Sequence, residues 1–187
     1  MGILRHIDVT PAESRAYLKH AAAMRRAADA EDADDGIEEV DSDEDASAEE
    51  AALSPERIAE LGAAEQLILT ITSNGMGKRA SAYDYRVTGR GGKGLIAHKI
   101  NATQKIVASF PAEESDQVML VTDAGQLIRT RVEQIRQAGR STAGVWVLRT
   151  ADEETVVSVE RLAEQDDDDV DGDEEAVEPS AEPKSDS

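Results

Sequence analysis

Seven cations and one carboxylate lie between Ile68 and Phe110: Lys78, Arg79, Arg86, Arg90, Lys93, Lys99 and Lys105 against Asp84, a net charge of +6. Two of the seven stand inside a glycine-dense hexapeptide, Gly89-Arg90-Gly91-Gly92-Lys93-Gly94. Glycine removes side-chain bulk and opens backbone N–H groups, so a polyanion can approach closely while two cations pair with its phosphates. Nothing near the loop is equipped to read bases: neither a recognition helix nor an aromatic stacking platform accompanies it. The chemistry expected is sequence-independent, salt-sensitive contact with a nucleic-acid backbone. The plainer alternative is that these cations are solvated strand and loop residues.

Catalysis has no comparable footing. Gly75-Met76-Gly77-Lys78-Arg79 hints at a phosphate loop, but that motif needs Gly, four residues, then Gly-Lys-Ser/Thr opening a helix. Here Arg79 takes the hydroxyl position and a β-patterned run follows. No Ser-His-Asp or paired-carboxylate arrangement is readable, and the densest acids fall where nothing would hold their geometry. The absence of cysteine excludes disulfides and thiolate metal sites, and His6, His20 and His98 are too scattered for a zinc spacing. His98 reads as a packed or surface residue. No catalytic residue, metal ligand or cofactor is assigned to the chain. No apolar run approaches the roughly 18 residues of a membrane helix, and Met1 to Arg5 is too short for a signal peptide, so a cytoplasmic, nucleoid-associated location with no membrane partner is expected.

The elements that must position the basic set are framed by charge. The net charge of −20 sits in the flanks. Residues 1–66 carry 6 basic and 18 acidic side chains, residues 166–187 carry 1 and 11, and residues 67–165 carry 13 and 11. Met1 to Asp8 reads as a strand from part of a blade. Thr10-Pro11 with Glu13 combines an N-cap, a proline at the first helical position and a capping-box acid, which predicts a helix to Ala28. Residues 29–50 are Asp, Glu, Ala and Ser with little to bury, so disorder is expected. Ser54-Pro55-Glu56 starts a second helix. Residues 9–66 therefore read as a two-helix acidic insertion.

At Leu67 the pattern changes to strands. Runs at Leu67–Thr72, Arg79–Tyr85, Leu95–Lys99 and Lys105–Phe110 are followed by Val118–Thr122, Leu127–Val132, Val145–Arg149 and Thr155–Arg161. Laid over itself at an offset of fifty, the chain pairs Thr72 with Thr122, Gly75 with Gly125, Arg79 with Arg129, Gly89 with Gly139, Arg90 with Arg140 and Gly94 with Gly144. Four short strands per unit of about fifty residues is a propeller-type blade. The fold predicted is mainly β: two four-stranded blades, 67–116 and 117–165, with the helical insertion and a disordered acidic tail at 166–187. Two blades cannot close a ring, so the chain reads as a piece of something larger. The second repeat sets five arginines at 118–160 against six acids and is expected to bind weakly.

Gly75-x-Gly77-Lys78-Arg79, Gly89 to Gly94, Thr122-Asp123-x-Gly125-x-Leu127-Ile128-Arg129-Thr130 and Gly139-Arg140-Ser141-Thr142-x-Gly144-Val145 resemble the C-terminal domain of bacterial DNA gyrase A. The resemblance covers about 67–165 plus the tail. It implies a β-pinwheel of about six blades that wraps double-stranded DNA around a basic rim, within an ATP-dependent type II topoisomerase that introduces negative supercoils. It also implies that gyrase B and the rest of gyrase A are partners, and that ATP and Mg belong to that holoenzyme. The wrapping motif of the family, Gln-Arg-Arg-Gly-Gly-Arg/Lys-Gly, maps onto Thr88 to Gly94 with its Gln and first Arg replaced. Gly89, Arg90, Gly91, Gly92, Lys93 and Gly94 are thus a degenerate copy. The cleavage domain and its catalytic tyrosine have no counterpart, and the chain is expected to be a C-terminal fragment of a longer protein. Lys78, Arg79, Arg86, Arg90, Lys93 and Lys99 are the expected DNA contacts. The rival reading is a non-catalytic interaction module in which the N-terminal helices dock a protein partner.

Overall fold

The computed structural model describes residues 8–28, 52–87, 90–91, 94–151 and 153–162 of the 187-residue chain. The strand expected over Met1 to Asp8, all but Asp8, the acidic stretch from 29 to 50 and the tail from 166 lie outside these residues.

Both helices begin where their caps predict. In α1 (Pro11–Ala28) the Glu13 carboxylate accepts from the Thr10 N–H and hydroxyl, while the Thr10 hydroxyl accepts from the Glu13 N–H, a closed capping box. In α2 (Pro55–Ala64) the Ser54 hydroxyl accepts from the Arg57 N–H. Arg57 ties the pair together by reaching Glu13 at 3.0 Å and the Asp8 carbonyl at 2.9 Å. The helices attach to the β part through apolar and aromatic contact. Tyr17 and Tyr83 meet edge to face at 5.3 Å, the Tyr83 hydroxyl donates to the Leu61 carbonyl, and Leu61 is fully buried.

Among the described residues the β part has seven strands: β1 (Leu67–Thr72), β2 (Met76–Ser81), β3 (Ile106–Ala112), β4 (Gln117–Thr122), β5 (Leu127–Arg131), β6 (Val145–Trp146) and β7 (Val156–Leu162). They form a four-stranded sheet in the order β3-β1-β2-β6 and a three-stranded sheet in the order β5-β4-β7. Every pairing between these strands is antiparallel, and the fifty-residue offset holds in three dimensions. The β1–β2 turn closes through Gly75 N–H to the Thr72 carbonyl, and the β4–β5 turn through Gly125 N–H to the Thr122 carbonyl. Both glycines hold φ near +80°, a region that excludes most side chains. The two sheets share one core of Leu69, Ile71, Val118, Leu120, Val132, Ile135, Leu148, Val156 and Val159.

Two strand expectations change. The run expected at Arg79–Tyr85 begins earlier, at Met76, and ends at Ser81, whose hydroxyl accepts from the Tyr83 N–H and caps a 3-10 turn at Ala82–Asp84. Leu95–Lys99 is not a strand. Its counterpart fifty residues on, β6, does not join the sheet of its own repeat. It crosses to the first sheet and pairs Met76 with Trp146 and Gly77 with Val145. A blade is therefore not a contiguous repeat: the first sheet takes its last strand from the repeat that follows. The boundary drawn near residue 116 does not separate the two sheets.

Candidate nucleic-acid interface

Of the six cations expected to meet phosphate, the five among the described residues part company in the structure. Lys78 is fully buried on β2, with strands on both sides and the loop 139–144 above it. Its ammonium donates to the carbonyls of Gly139 at 2.9 Å, Thr142 at 2.7 Å and Arg140. Burial pulls its pKa down to about 8, with Asp84 opposing and Arg140 adding to the shift. Arg79 is 7% exposed. Its guanidinium donates to the carbonyls of Ile135 and Glu133 and pairs with Glu114 at 2.8 Å. Neither side chain can reach a phosphate without dismantling the junction between the sheets. Both are corrected from DNA contacts to struts.

The loop that Lys78 grips is the second copy of the glycine-basic hexapeptide. Gly144 takes φ +79°, and a Cβ there would lie 2.4 Å from the Gly77 carbonyl oxygen, so only glycine lets the two backbones meet this closely. His98 fastens the same loop. Its Nε2 lies 2.7 Å from the Ala143 carbonyl and must donate, which leaves Nδ1 to accept from the Thr70 hydroxyl at 3.0 Å. Burial, reinforced by the Lys78 ammonium, holds the ring below its ordinary pKa. Lys99 N–H donates to the Thr142 carbonyl, Arg140 N–H to the Asp84 carboxylate, and the Arg140 guanidinium to the Ile96 carbonyl at 3.0 Å. Burial raises the Asp84 pKa, against the pull of Arg140 and Lys78.

These bonds bring Arg140, from the second repeat, beside Lys99 and the segment leading to Arg86. Arg86, Arg90, Lys99 and Lys105 are exposed, and Arg90 sits in a turn with Gly91 at φ +81°. Gly89, Gly92 and Lys93 lie outside the described residues. Arg140 is missing from the expected set; its match to Arg90 in the repeat is the signal that could have found it. Among the described residues no group of three or more His, Asp or Glu could hold a metal, and no helix is long and apolar enough to cross a membrane. The arrangement offers cations on a rigid frame, suited to holding an anion.

The family model described as "DNA gyrase C-terminal domain, beta-propeller" matches residues 66–113 and 116–163, the two repeats in turn. The chain belongs to the DNA gyrase C-terminal domain family. It is 45% identical to the DNA gyrase A protein of Granulibacter bethesdensis over 97% of its length, covering 20% of that protein. It is 40% identical to the DNA gyrase A protein of Rickettsia bellii over 90% of its length, covering 18%. The chain thus spans about a fifth of the length of the curated relatives it matches. Among solved structures, a DNA gyrase A C-terminal domain aligns with a TM-score of 0.47 and 24% identity, over 52% of this chain and 33% of that one. For this member of the gyrase C-terminal domain family, the repeat of the sequence and the blade of the fold are out of phase by one strand.

Proposed function

We propose that the chain binds the backbone of duplex DNA, without regard to sequence, as the C-terminal part of a gyrase A-like protein. The observation that carries this reading is the cationic surface at the junction of the two sheets. Arg86 and Lys99 come from the first repeat, the Lys78 and His98 clamp brings Arg140 beside Lys99, and Arg90 is assigned to the set from its match to Arg140 in the repeat. Lys93 is assigned to the same set from its place beside Arg90 in the hexapeptide. In the longer protein this surface would guide DNA toward ATP-driven strand passage that introduces negative supercoils. The nucleotide and Mg chemistry, and the contacts with gyrase B, belong to other parts of that assembly. The interaction-module reading has less support, because α1 and α2 use their aromatic and buried contacts on Tyr83, in the 3-10 turn that follows β2.

Anisotropy of a labelled duplex of about 40 base pairs, titrated from roughly 50 to 200 mM salt, tests the proposal. Affinity falls steeply with salt and is indifferent to duplex sequence. Changing Arg90 and Lys93 together to Ala flattens the slope by up to about two units, roughly one for each phosphate no longer neutralised. A folded chain that fails to bind at low salt overturns the proposal.

A further inference from the structure

One short turn serves both the helices and the cationic surface. It is the 3-10 turn at Ala82–Asp84, capped by the Ser81 hydroxyl and closed by the Tyr85 N–H on the Ala82 carbonyl at 3.0 Å. Its three residues hold three different partners. The Ala82 N–H donates to the Gln66 carbonyl, between α2 and β1, at 2.8 Å. The Tyr83 ring meets Tyr17 of α1 edge to face at 5.3 Å, and its hydroxyl donates to the Leu61 carbonyl of α2 at 2.9 Å. Tyr17 is the one described residue of α1 that is buried, and its hydroxyl donates to Glu65 at 2.8 Å. The hold of α1 on the β part is therefore concentrated on Tyr83. Asp84 serves the other side, where its carboxylate accepts from the Arg140 N–H at 3.3 Å.

The repeat separates what the turn needs from what is added in this copy. Fifty residues on, a 3-10 turn recurs at Val132–Gln134, closed by the Ile135 N–H on the Val132 carbonyl at 3.0 Å. Glu133 and Gln134 stand there in place of Tyr83 and Asp84, and no side chain caps it. The turn thus forms without a tyrosine or an aspartate. Both occur in the copy that has the helices on one side and Arg140 on the other. Charge links the same parts: burial raises the Asp84 pKa, and the cations opposing that rise are Arg140, Lys78 and Arg25 of α1.

From this we infer, resting on the DNA-binding reading of the cationic surface, that Tyr83 is a positioning residue for that surface. Through it α1 and α2 fix the turn, Asp84 fixes the Arg140 backbone, and Arg140 meets phosphate already in place. A cation held before contact spares the ordering that binding would otherwise demand. The two-helix unit is thereby a brace for DNA binding.

A double-mutant cycle on the full 187-residue chain, read by anisotropy of the labelled duplex, tests this. Tyr83→Ala weakens binding roughly three- to tenfold, the loss expected when one side chain must be ordered on contact. It leaves the salt slope at the parent value, because no cation is removed, whereas Arg140→Ala lowers the slope by about one unit. Added to Arg140→Ala, Tyr83→Ala brings no further loss. Tyr83→Phe keeps the ring against Tyr17, gives up only the Leu61 bond, and binds closer to the parent. Where Tyr83→Ala loses the parent's far-UV dichroism, Tyr83→Phe takes its place in the cycle, and its smaller loss likewise vanishes beside Arg140→Ala. A parent that binds while the Tyr83 loss is the same with and without Arg140 overturns the inference alone, since general loosening weakens both backgrounds alike. A folded Tyr83→Ala with parental affinity overturns it too. A folded parent that fails to bind at low salt overturns the DNA-binding reading and the positioning role together.

Discussion

Lys78 and Arg79 act on the chain itself. An ammonium enclosed by three carbonyls ties the loop 139–144 to β2, and Lys78→Met removes a charge-assisted bond from each of the oxygens of Gly139, Arg140 and Thr142. A hydrogen bond to a charged group contributes about 1.5–3 kcal/mol, so that variant loses on the order of 3 kcal/mol in chemical denaturation. Its DNA affinity at a fixed salt falls, but the salt slope stays at the parent value, because no phosphate partner is removed. The double change at Arg90 and Lys93 does the reverse, flattening the slope at little cost in stability. His98 adds a pH dependence. Its folded pKa is depressed below the ordinary value of 6.5, so the folded state binds fewer protons than the unfolded one in that range. The stability it supports is complete above about pH 6.5 and is lost as pH falls through the folded pKa. His98→Gln flattens the stability profile between about pH 5 and 6.5, a window above most carboxylate titration. Equal slopes for parent and variant there would remove His98 from the clamp.

At the scale of elements, paired glycines separate conformation from contact. Gly75→Ala and Gly125→Ala both force alanine into the left-handed region, about 1–2 kcal/mol each. Only Gly75 also meets a backbone oxygen, that of Leu148 at 2.0 Å from the added Cβ, so Gly75→Ala is the more destabilising in thermal denaturation. Equal losses would show that the β2–β6 approach contributes little. The repeat, both helix caps and most strands were legible because each rests on local signals: proline after a capping residue, glycine at turns, and apolar residues at period two. The exchange of β6 was not, since a strand two residues long carries no mark of which edge it will join. The burial of β2 was hidden for a related reason. Gly75 to Arg79 reads as an imperfect phosphate loop ahead of a strand, and β2 is covered on both faces only because Arg79 and Lys78 find carbonyls on a segment about sixty residues away. In the candidate site the cations themselves were visible, but their sorting into struts and surface charges depends on that same long-range closure.

For the whole molecule, a shared core and an exchanged strand mean that the sheets cannot part independently. Trp146, the one tryptophan of the chain, sits on β6 and reports the junction directly. Its fluorescence and the β-sheet dichroism are expected to lose their native values in one coincident transition. A fluorescence change that precedes loss of the sheets would make β6 a peripheral strap. Charge acts at this scale too. The eleven acids of residues 166–187 would compete with DNA for the cationic surface, so removing them raises duplex affinity in the anisotropy titration, most at low salt.

The displaced strand also sets a timetable. A ribosome releases Ser81, the end of β2, well before Trp146, and at about 5–20 residues per second the interval is on the order of 3–13 s. Throughout that interval the nascent first sheet has β2 as a bare margin and Lys78 has no carbonyls to hold. The first blade can begin forming early, yet it finishes only after most of its successor has been translated.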